Sequence, residues 1–152
     1  MDSLCIKSPV GDLTIFEIEG QIVALDWGRG SDTPRKTNNP VLKAARDALA
    51  HYFKTGEENF KDLPLDPHGT QHQMNVWKAM QAIDSGQTKS YGQIAKQIKS
   101  SALAVGTACG ANPIPILIPC HRVVGTSGIG GYSGQGGVDT KTVLLRLEGT
   151  LP

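Results

Sequence analysis

The stretch SYGQIAKQIKSSALAVGTACGANPIPILIPCHRVV, residues 90–124, decides the fold of the C-terminal half of the chain. Ser90 is a good helix N-cap, and the apolar residues after it recur at the spacing of a short helix. A Lys-Ser turn then precedes a second short helix, residues 101–111, in which nearly all side chains are small. Two short helices joined by a tight turn are typical of a helix-turn-helix. From composition alone, close packing inside a helical bundle explains the small residues equally well.

The end of this stretch carries the candidate chemistry. Pro113 and Pro115 end the second helix, and an apolar run, residues 116–118, leads to Cys120 and His121. A thiol reacts as the thiolate, and a free cysteine with a pKa near 8.5 is mostly protonated at neutral pH, so it needs a base or a positive neighbour. If the backbone turns at Cys120, His121 could take the proton, directly or through a water. Without further information, however, a cysteine here is more often a buried apolar residue than a nucleophile.

The N-terminal half has the pattern of a small sheet followed by a helix. Short apolar runs separated by turn residues predict three strands, at residues 4–6, 13–18 and 22–25. Asn39 and Pro40 offer an N-cap and a first-turn proline for a helix with apolar residues at helical spacing. The segment 56–69 contains prolines and glycines and predicts a connection between two domains, residues 1–68 and 69–152.

The C-terminal half adds two further helices. One begins at Thr70 and is expected to end near Gly86, and the last is expected to be capped by Asp139 and ended by Gly149.

Composition excludes several classes of protein. No apolar run approaches the roughly 20 residues that span a bilayer, and the N-terminus does not resemble a secretion signal, so we expect a cytoplasmic protein. The three cysteines form no Cys-x-x-Cys pair and argue against a disulfide framework. Cys5 and His72 are weak candidates for metal ligands, because they stand far apart in the sequence.

The net charge of +1 conceals an asymmetry. Residues 1–69 carry 8 Lys and Arg against 11 Asp and Glu, whereas residues 70–152 carry 7 against 3. A polyanion should therefore meet the C-terminal half, although ordinary scatter of charge also explains this difference.

The segment NPIPILIPCHRVV, residues 112–124, is similar to the signature of O6-alkylguanine-DNA alkyltransferases. Four further blocks match that family in order: residues 90–95, 104–106, 131–134 and 147–149. The resemblance covers about residues 70–150. It implies an α/β protein with a small ribonuclease-H-like N-terminal domain and a winged-helix-like, mostly helical C-terminal domain with a helix-turn-helix.

The same resemblance implies a chemistry. Cys120 would accept the alkyl group from O6-alkylguanine, and from O4-alkylthymine, irreversibly and once per molecule. His121 would deprotonate Cys120 through a water, Glu148 would polarise His121, and Asn112 would stabilise the turn before the reactive loop. Neither a metal nor a cofactor is implied.

The resemblance also implies how DNA is held. Tyr91 would press on the phosphate on the 3′ side of the lesion, helping the base to rotate out of the helix. The backbone at Val123 and the side chain of Ser133 would hold the extruded base, and Arg122 is assigned to the same binding set. The partner would be duplex DNA containing O6-alkylguanine, and we expect a monomer in solution.

One position departs from the family pattern. Leu103 stands where the recognition helix of the family usually presents an arginine that fills the space of the extruded base. A leucine can still wedge between bases, but it lacks the charge and hydrogen bonds of arginine. We therefore expect weaker binding or slower extrusion with the transfer chemistry retained. The loop 132–141 is also longer than usual, which leaves the size of the accepted alkyl group open.

Three other functions fit parts of the sequence. A protein that binds alkylated DNA without repairing it would lack the acceptor thiol, which this chain has in Cys120. A papain-like thiol hydrolase would draw its cysteine and histidine from distant positions, not from adjacent ones. A transcriptional regulator would need a sensing region or a dimer interface, and neither is evident.

Overall fold

The computed structural model describes residues 1–30, 32–132 and 134–151. The N-terminal half contains an antiparallel sheet with strand order β1-β2-β3. Its strands are β1 (Asp2–Ile6), β2 (Leu13–Ile18) and β3 (Gln21–Trp27). The three predicted strands are therefore present, and each is as long as predicted or slightly longer.

Helix α1 (Pro40–Thr55) covers this sheet. As predicted, Asn39 is the N-cap: its side chain accepts hydrogen bonds from the first free backbone N–H groups of the helix. The helix ends at Gly56, which has a left-handed φ of 77°. A Cβ at this glycine would collide with the carbonyl group of Leu147, so the end of α1 lies directly against the end of the chain's last helix.

The C-terminal half is mainly helical. It contains α2 (Gln71–Gln81), α3 (Tyr91–Ile98), α4 (Ala102–Gly110) and α5 (Gly137–Leu147). A short parallel pair joins β4 (Lys89–Ser90) to β5 (Val123–Val124). Ser90 caps α3 as predicted, with Gln93 returning a hydrogen bond to form a capping box.

Two helix boundaries differ from the sequence prediction. Helix α2 ends at Gln81 rather than near Gly86. Helix α5 begins at Gly137 with Gly136 at the N-cap position, so Asp139 lies in the first turn and does not cap the helix. The left-handed backbone of Gly136 and Gly137 is accessible because glycine has no Cβ, and it lets the chain enter the helix earlier than the acidic residue indicates.

Helices α3 and α4 are joined by a tight turn. Lys99 adopts a left-handed conformation with φ 58°, and the backbone N–H of Ser100 bonds to the carbonyl of Ala95. Ser101 then caps α4 through the N–H of Ala104. The apolar residues of α4 that face inward are buried, whereas Leu103 is 83% exposed.

A single hydrophobic core runs through both halves. Buried residues of the sheet and of α1 belong to the same cluster as those of α2, α4 and α5. A backbone hydrogen bond of 2.9 Å from Leu25 N to Pro113 O also crosses between the halves. Side chains of the N-terminal half can therefore reach a site in the C-terminal half. Within the described residues, no helix is both long and apolar enough to cross a membrane.

Candidate active site

Cys120 lies at the start of a 3-10 turn, Cys120–Arg122, and its side chain is almost fully buried. The apolar run before it is buried, as predicted. Within that run, Ile116 has a φ of 72°, a strained conformation for a β-branched residue. Asn112 spans this bend: its Nδ2 donates to Ile118 O at 2.9 Å, and its Oδ1 accepts from Ile114 N at 3.0 Å. These two bonds fix the loop that presents the thiol.

The thiol lies on the wall of a cavity of about 310 Å³. This volume is at the lower end of the range for small-ligand sites, roughly 300–1,000 Å³. The lining residues come from α3, α4, the Cys120 turn and the loop before α5: Tyr91, Gly106, Cys109, Gly110, Cys120, Gly131 and Tyr132. Three glycines in the wall leave room for a flat, ring-shaped ligand.

His121 and Glu148 form a buried pair. The distance between His121 Nε2 and Glu148 Oε2 is 2.7 Å, and both side chains are fully buried. Burial alone would raise the pKa of Glu148, but hydrogen bonds and charge from His121 and Arg122 outweigh it and lower the pKa to about 2. Because Glu148 is ionised, Nε2 of His121 must carry the proton and donate it.

The other ring nitrogen of His121 is free to accept. Nδ1 is buried and has no hydrogen-bond partner among the described residues. Burial lowers the pKa of His121, an effect that Glu148 only partly offsets, so the ring is neutral at pH 7. The structure thus holds a neutral base with its lone pair on Nδ1.

The thiol of Cys120 needs such a base. Burial raises its pKa, while the Asn112 amide, the charge of Lys141 and the hydroxyl of Tyr132 act in the opposite direction. The net result is a thiol that stays protonated at rest. It becomes a nucleophile only when the proton is taken.

Sequence reasoning missed Lys141, which is fully buried. Its Nζ donates to Val123 O at 2.6 Å and to Gly131 O at 3.0 Å, and lies 5.7 Å from the centre of the Tyr91 ring. A positional signal was present, because Lys141 stands three residues before the buried Leu144 and seven before Glu148, on one face of the helix.

Sequence reasoning also missed three aromatic residues at or beside the site. Tyr132 lines the cavity, and Trp27 of β3 packs edge-on against it with ring centroids 6.1 Å apart. Tyr52 of α1 donates a hydrogen bond of 2.6 Å to Glu148 Oε2. Both Trp27 and Tyr52 belong to the N-terminal half, where the sequence showed only core positions.

The predicted DNA- and substrate-binding residues lie in different places. Tyr91, at the start of α3, lines the cavity. Val123 is fully buried, and its carbonyl is bound by Lys141. Leu103 lies on α4 beside a second, shallower groove lined by residues of α2 and α4. Ser133 lies outside the described residues.

The expectation that Arg122 binds DNA or substrate does not fit the structure and is corrected. The side chain is only 1% exposed. Its donors are used inside the protein, on Glu148 through Nε and Nη2, and on Glu58 and Ile83 O through Nη1. In this structure a buried guanidinium with these partners is not available to a phosphate, and two of its nitrogens bond to Glu148.

Metal ligands are not grouped in the described part of the chain. No three His, Cys, Asp or Glu side chains there lie close enough together to hold an ion, and Cys5 is buried in β1 while His72 bonds to Ser100.

A helical domain with a buried cysteine, histidine and glutamate beside a ligand-sized cavity, packed on a small sheet domain, defines a protein that uses a thiol as its reactive group. Two family models identify the family to which this thiol-dependent protein belongs. Residues 4–67 match the ribonuclease-like domain of 6-O-methylguanine DNA methyltransferase, and residues 71–150 match its DNA binding domain. The chain belongs to this family, and the predicted resemblance is confirmed, as is the α/β fold class with a small N-terminal sheet domain and a helical C-terminal domain.

Individual relatives agree with the family models. A methylated-DNA–protein-cysteine methyltransferase of Mycolicibacterium paratuberculosis is 42% identical over 150 residues, which is 94% of this chain and 89% of the relative. One from Haemophilus influenzae is 37% identical, over 93% of this chain and 82% of its own length. The crystal structure of Mycobacterium tuberculosis OGT in complex with DNA has a TM-score of 0.85 and 41% identity, and covers 100% of this chain and 96% of its own.

Proposed function

We propose that this chain repairs DNA by moving the alkyl group from O6 of a damaged guanine in duplex DNA onto Sγ of Cys120. The observation that supports this most directly is the geometry of the base: His121 is neutral, its Nε2–H is held by ionised Glu148, and its Nδ1 is free. Relatives that cover nearly the whole chain are named as methylated-DNA–protein-cysteine methyltransferases.

The transfer is a single displacement. Nδ1 of His121 takes the thiol proton through a water, and Sγ of Cys120 attacks the carbon bound to O6. A C–S bond forms as the C–O bond breaks, and the electron pair of that bond stays on the guanine. Tyr91 at the cavity donates its hydroxyl proton to the leaving guanine. The proton that His121 took from the thiol then returns to Tyr91 through solvent, so both residues end in their starting protonation states. A thioether is not hydrolysed under cellular conditions, so each molecule acts once.

The damaged base has to leave the duplex to reach this cavity. We infer that α3 and α4 act as a helix-turn-helix, with α4 in the groove and Leu103 as an apolar wedge. Extruding a base costs roughly a few kcal/mol, and least for a damaged or mispaired one. Tyr91 lines the cavity together with residues of α4, and from there it is proposed to contact the backbone beside the lesion. Ser133 is proposed to contact the base with the Val123 backbone.

Four finer points complete the proposal. O4-alkylthymine is a second substrate, the protein is a cytoplasmic monomer, and no metal or cofactor takes part in the transfer. We also propose that residues 1–68 and 69–152 are its two domains.

Intact-protein mass spectrometry tests the proposal. Incubation with a duplex containing O6-methylguanine should add the mass of one methylene, mapped to the peptide that contains Cys120. Cys120→Ser should gain no mass and still bind the duplex. Cys5→Ala removes a buried thiol of β1 that does not line the cavity, and it should gain mass like the unchanged protein.

The same experiment separates the rival functions. A protein that only binds alkylated DNA would retain the lesion without any change of mass. Transfer by Cys120→Ser would refute the assignment of the acceptor.

A further inference from the structure

Tyr52 brings a hydroxyl from the N-terminal half into the reaction centre. It is fully buried on α1, and its hydroxyl lies 2.6 Å from Glu148 Oε2 and 3.5 Å from His121 Nε2. We propose that Tyr52 is a positioning residue of the transfer reaction, whose hydroxyl fixes Glu148 and, through it, the ring of His121. This inference rests on the proposed function and extends it to a residue 68 positions before the acceptor cysteine.

The direction of the hydrogen bond follows from the charges. Glu148 is ionised and can only accept. Burial, and then the neighbouring charge of Glu148, raise the pKa of Tyr52 far above its ordinary value, so the hydroxyl keeps its proton. Tyr52 therefore donates to Glu148 at neutral pH.

The carboxylate of Glu148 is held by four hydrogen bonds. Oε1 accepts from Arg122 Nε at 2.9 Å. Oε2 accepts from Tyr52 at 2.6 Å, from His121 at 2.7 Å and from Arg122 Nη2 at 3.0 Å. Since Arg122 is itself tied to Glu58 and to Ile83 O, the carboxylate cannot rotate without breaking several bonds. The orientation of the His121 ring is thus fixed by partners behind it.

Tyr52 and His121 bond to the same oxygen of Glu148, Oε2, and this has an electrostatic consequence. The Tyr52 hydroxyl draws negative charge from Oε2, the same oxygen that faces His121. It thereby weakens the ability of Glu148 to stabilise a protonated His121, and helps keep the base neutral. The other charged or titratable groups around His121 are Arg122 on the same turn, Lys141 on α5 and the thiol of Cys120.

A purely structural role for Tyr52 would need only its ring. The ring packs against Phe53 and Phe60, each with centroids 5.3 Å away. A phenylalanine would make the same contacts. The hydroxyl is therefore the part of the side chain that the packing does not explain.

The test compares Tyr52→Phe with Phe60→Leu. The first variant removes only the hydroxyl, and the second loosens the same aromatic cluster and keeps the hydroxyl. Single-turnover methyl transfer to Cys120 is followed by rapid quench from pH 5.5 to 9, roughly the range in which histidine and cysteine titrate. Thermal unfolding and duplex binding of both variants are measured in parallel.

Tyr52→Phe should transfer more slowly, by a factor on the order of ten, as when a group that orients a functional histidine is removed. The acid limb of its pH–rate profile should move to higher pH, because His121 becomes easier to protonate. Duplex affinity should not change. Phe60→Leu should lose thermal stability and keep the profile of the unchanged protein.

Two outcomes overturn the inference: an unchanged rate and profile in Tyr52→Phe, or the same shift of profile in Phe60→Leu. If Tyr52→Phe does not fold, an NMR measurement on the unchanged protein still tests the proposal. Its Tyr52 hydroxyl proton should give a slowly exchanging downfield NMR signal that moves as His121 titrates, and a signal that ignores this titration refutes the proposal. Failure of the unchanged protein to transfer methyl at all refutes the proposed function instead.

Discussion

The reaction site and the exposed face of α4 are built in opposite ways. At the reaction site, Glu148 is fully buried and is held by Tyr52, His121 and Arg122. On α4, Leu103 projects into solvent from a helix of small residues. The site leaves little freedom to its catalytic groups, whereas α4 presents one large apolar side chain and no charge. If α4 finds the lesion as proposed, the departure from the family pattern at Leu103 affects lesion finding and leaves the groups that hold Glu148 unchanged.

The largest effect is expected from Glu148→Gln. The substitution removes the fully buried carboxylate that bonds to Arg122 through both oxygens and leaves the buried cation with Glu58 as its one acidic partner among the described residues, which destabilises the protein by about 3–5 kcal/mol. It also replaces the charged carboxylate that fixes the His121 tautomer by a neutral amide, whose NH2 group cannot accept from Nε2, Tyr52 or Arg122, so transfer should fall by about two to four orders of magnitude. Urea unfolding and single-turnover transfer measure the two losses.

Glu58→Gln is the matched control. It removes the charge of another partner of Arg122, one that contacts neither His121 nor the cavity. Its loss of stability should be smaller, and its transfer rate should stay close to that of the unchanged protein. Equal losses of stability and of transfer rate in Glu58→Gln and Glu148→Gln would mean that Glu148 contributes nothing beyond its ion pair with Arg122.

A smaller effect is expected from Leu103→Arg on α4. An arginine there should raise duplex affinity and make the logarithm of affinity fall more steeply with that of salt, by about one unit of slope for one added phosphate contact. Transfer from the free base O6-methylguanine should not change, because the reaction site is untouched. Titrations of duplex binding at several salt concentrations give the slope.

Thr107→Arg, one turn further along the exposed side of α4, controls for charge alone. It should steepen the salt dependence without speeding extrusion of the base. If Leu103→Arg also fails to speed repair in duplex DNA, the idea of a wedge at this position is wrong.

The smallest effect is a pH dependence of stability that comes from the site and not from α4. The pKa of His121 is lowered on folding, so below its unfolded value near 6.5 the unfolded chain binds more protons and stability falls. Glu148, with a folded pKa of about 2, adds a further loss of stability as the pH drops below about 4.5. Denaturant unfolding at pH 7 and pH 5 should show the first loss in the unchanged protein and a smaller one in His121→Gln. An equal loss in both would place the titrating group elsewhere.

Local signals were enough to predict much of the fold. The strands, the Asn39 and Ser90 caps and the α3–α4 turn depend on residues within a few positions of one another, and they appear where the pattern indicated. The family signature around Cys120 drew attention to His121, Asn112 and Glu148. The structure brings His121 and Glu148 into contact and lays Asn112 across the reactive loop.

The errors and omissions of the sequence prediction concern polar side chains that are buried in the structure. Arg122 and Lys141 are charged residues that a sequence pattern assigns to the surface, yet both are buried. Their partners lie 10 to 64 positions away, at Gly131, Val123, Glu148 and Glu58, so nothing local indicates that burial is compensated. Tyr52 was missed for a related reason. Its spacing fits a core position of α1, and only its hydroxyl bonds to the reaction site, at Glu148.

The contact between the end of α1 and the end of α5 has a consequence for genetics. Gly56 lies against Leu147, and Tyr52, one turn earlier, reaches Glu148, so the first half of the gene encodes part of the reaction centre. Missense alleles at codons 52 and 56 are expected to abolish or weaken alkylation resistance, although the codon of the acceptor cysteine and those of α4 remain intact. A screen for alkylation-sensitive mutants should therefore recover alleles in both halves of the gene.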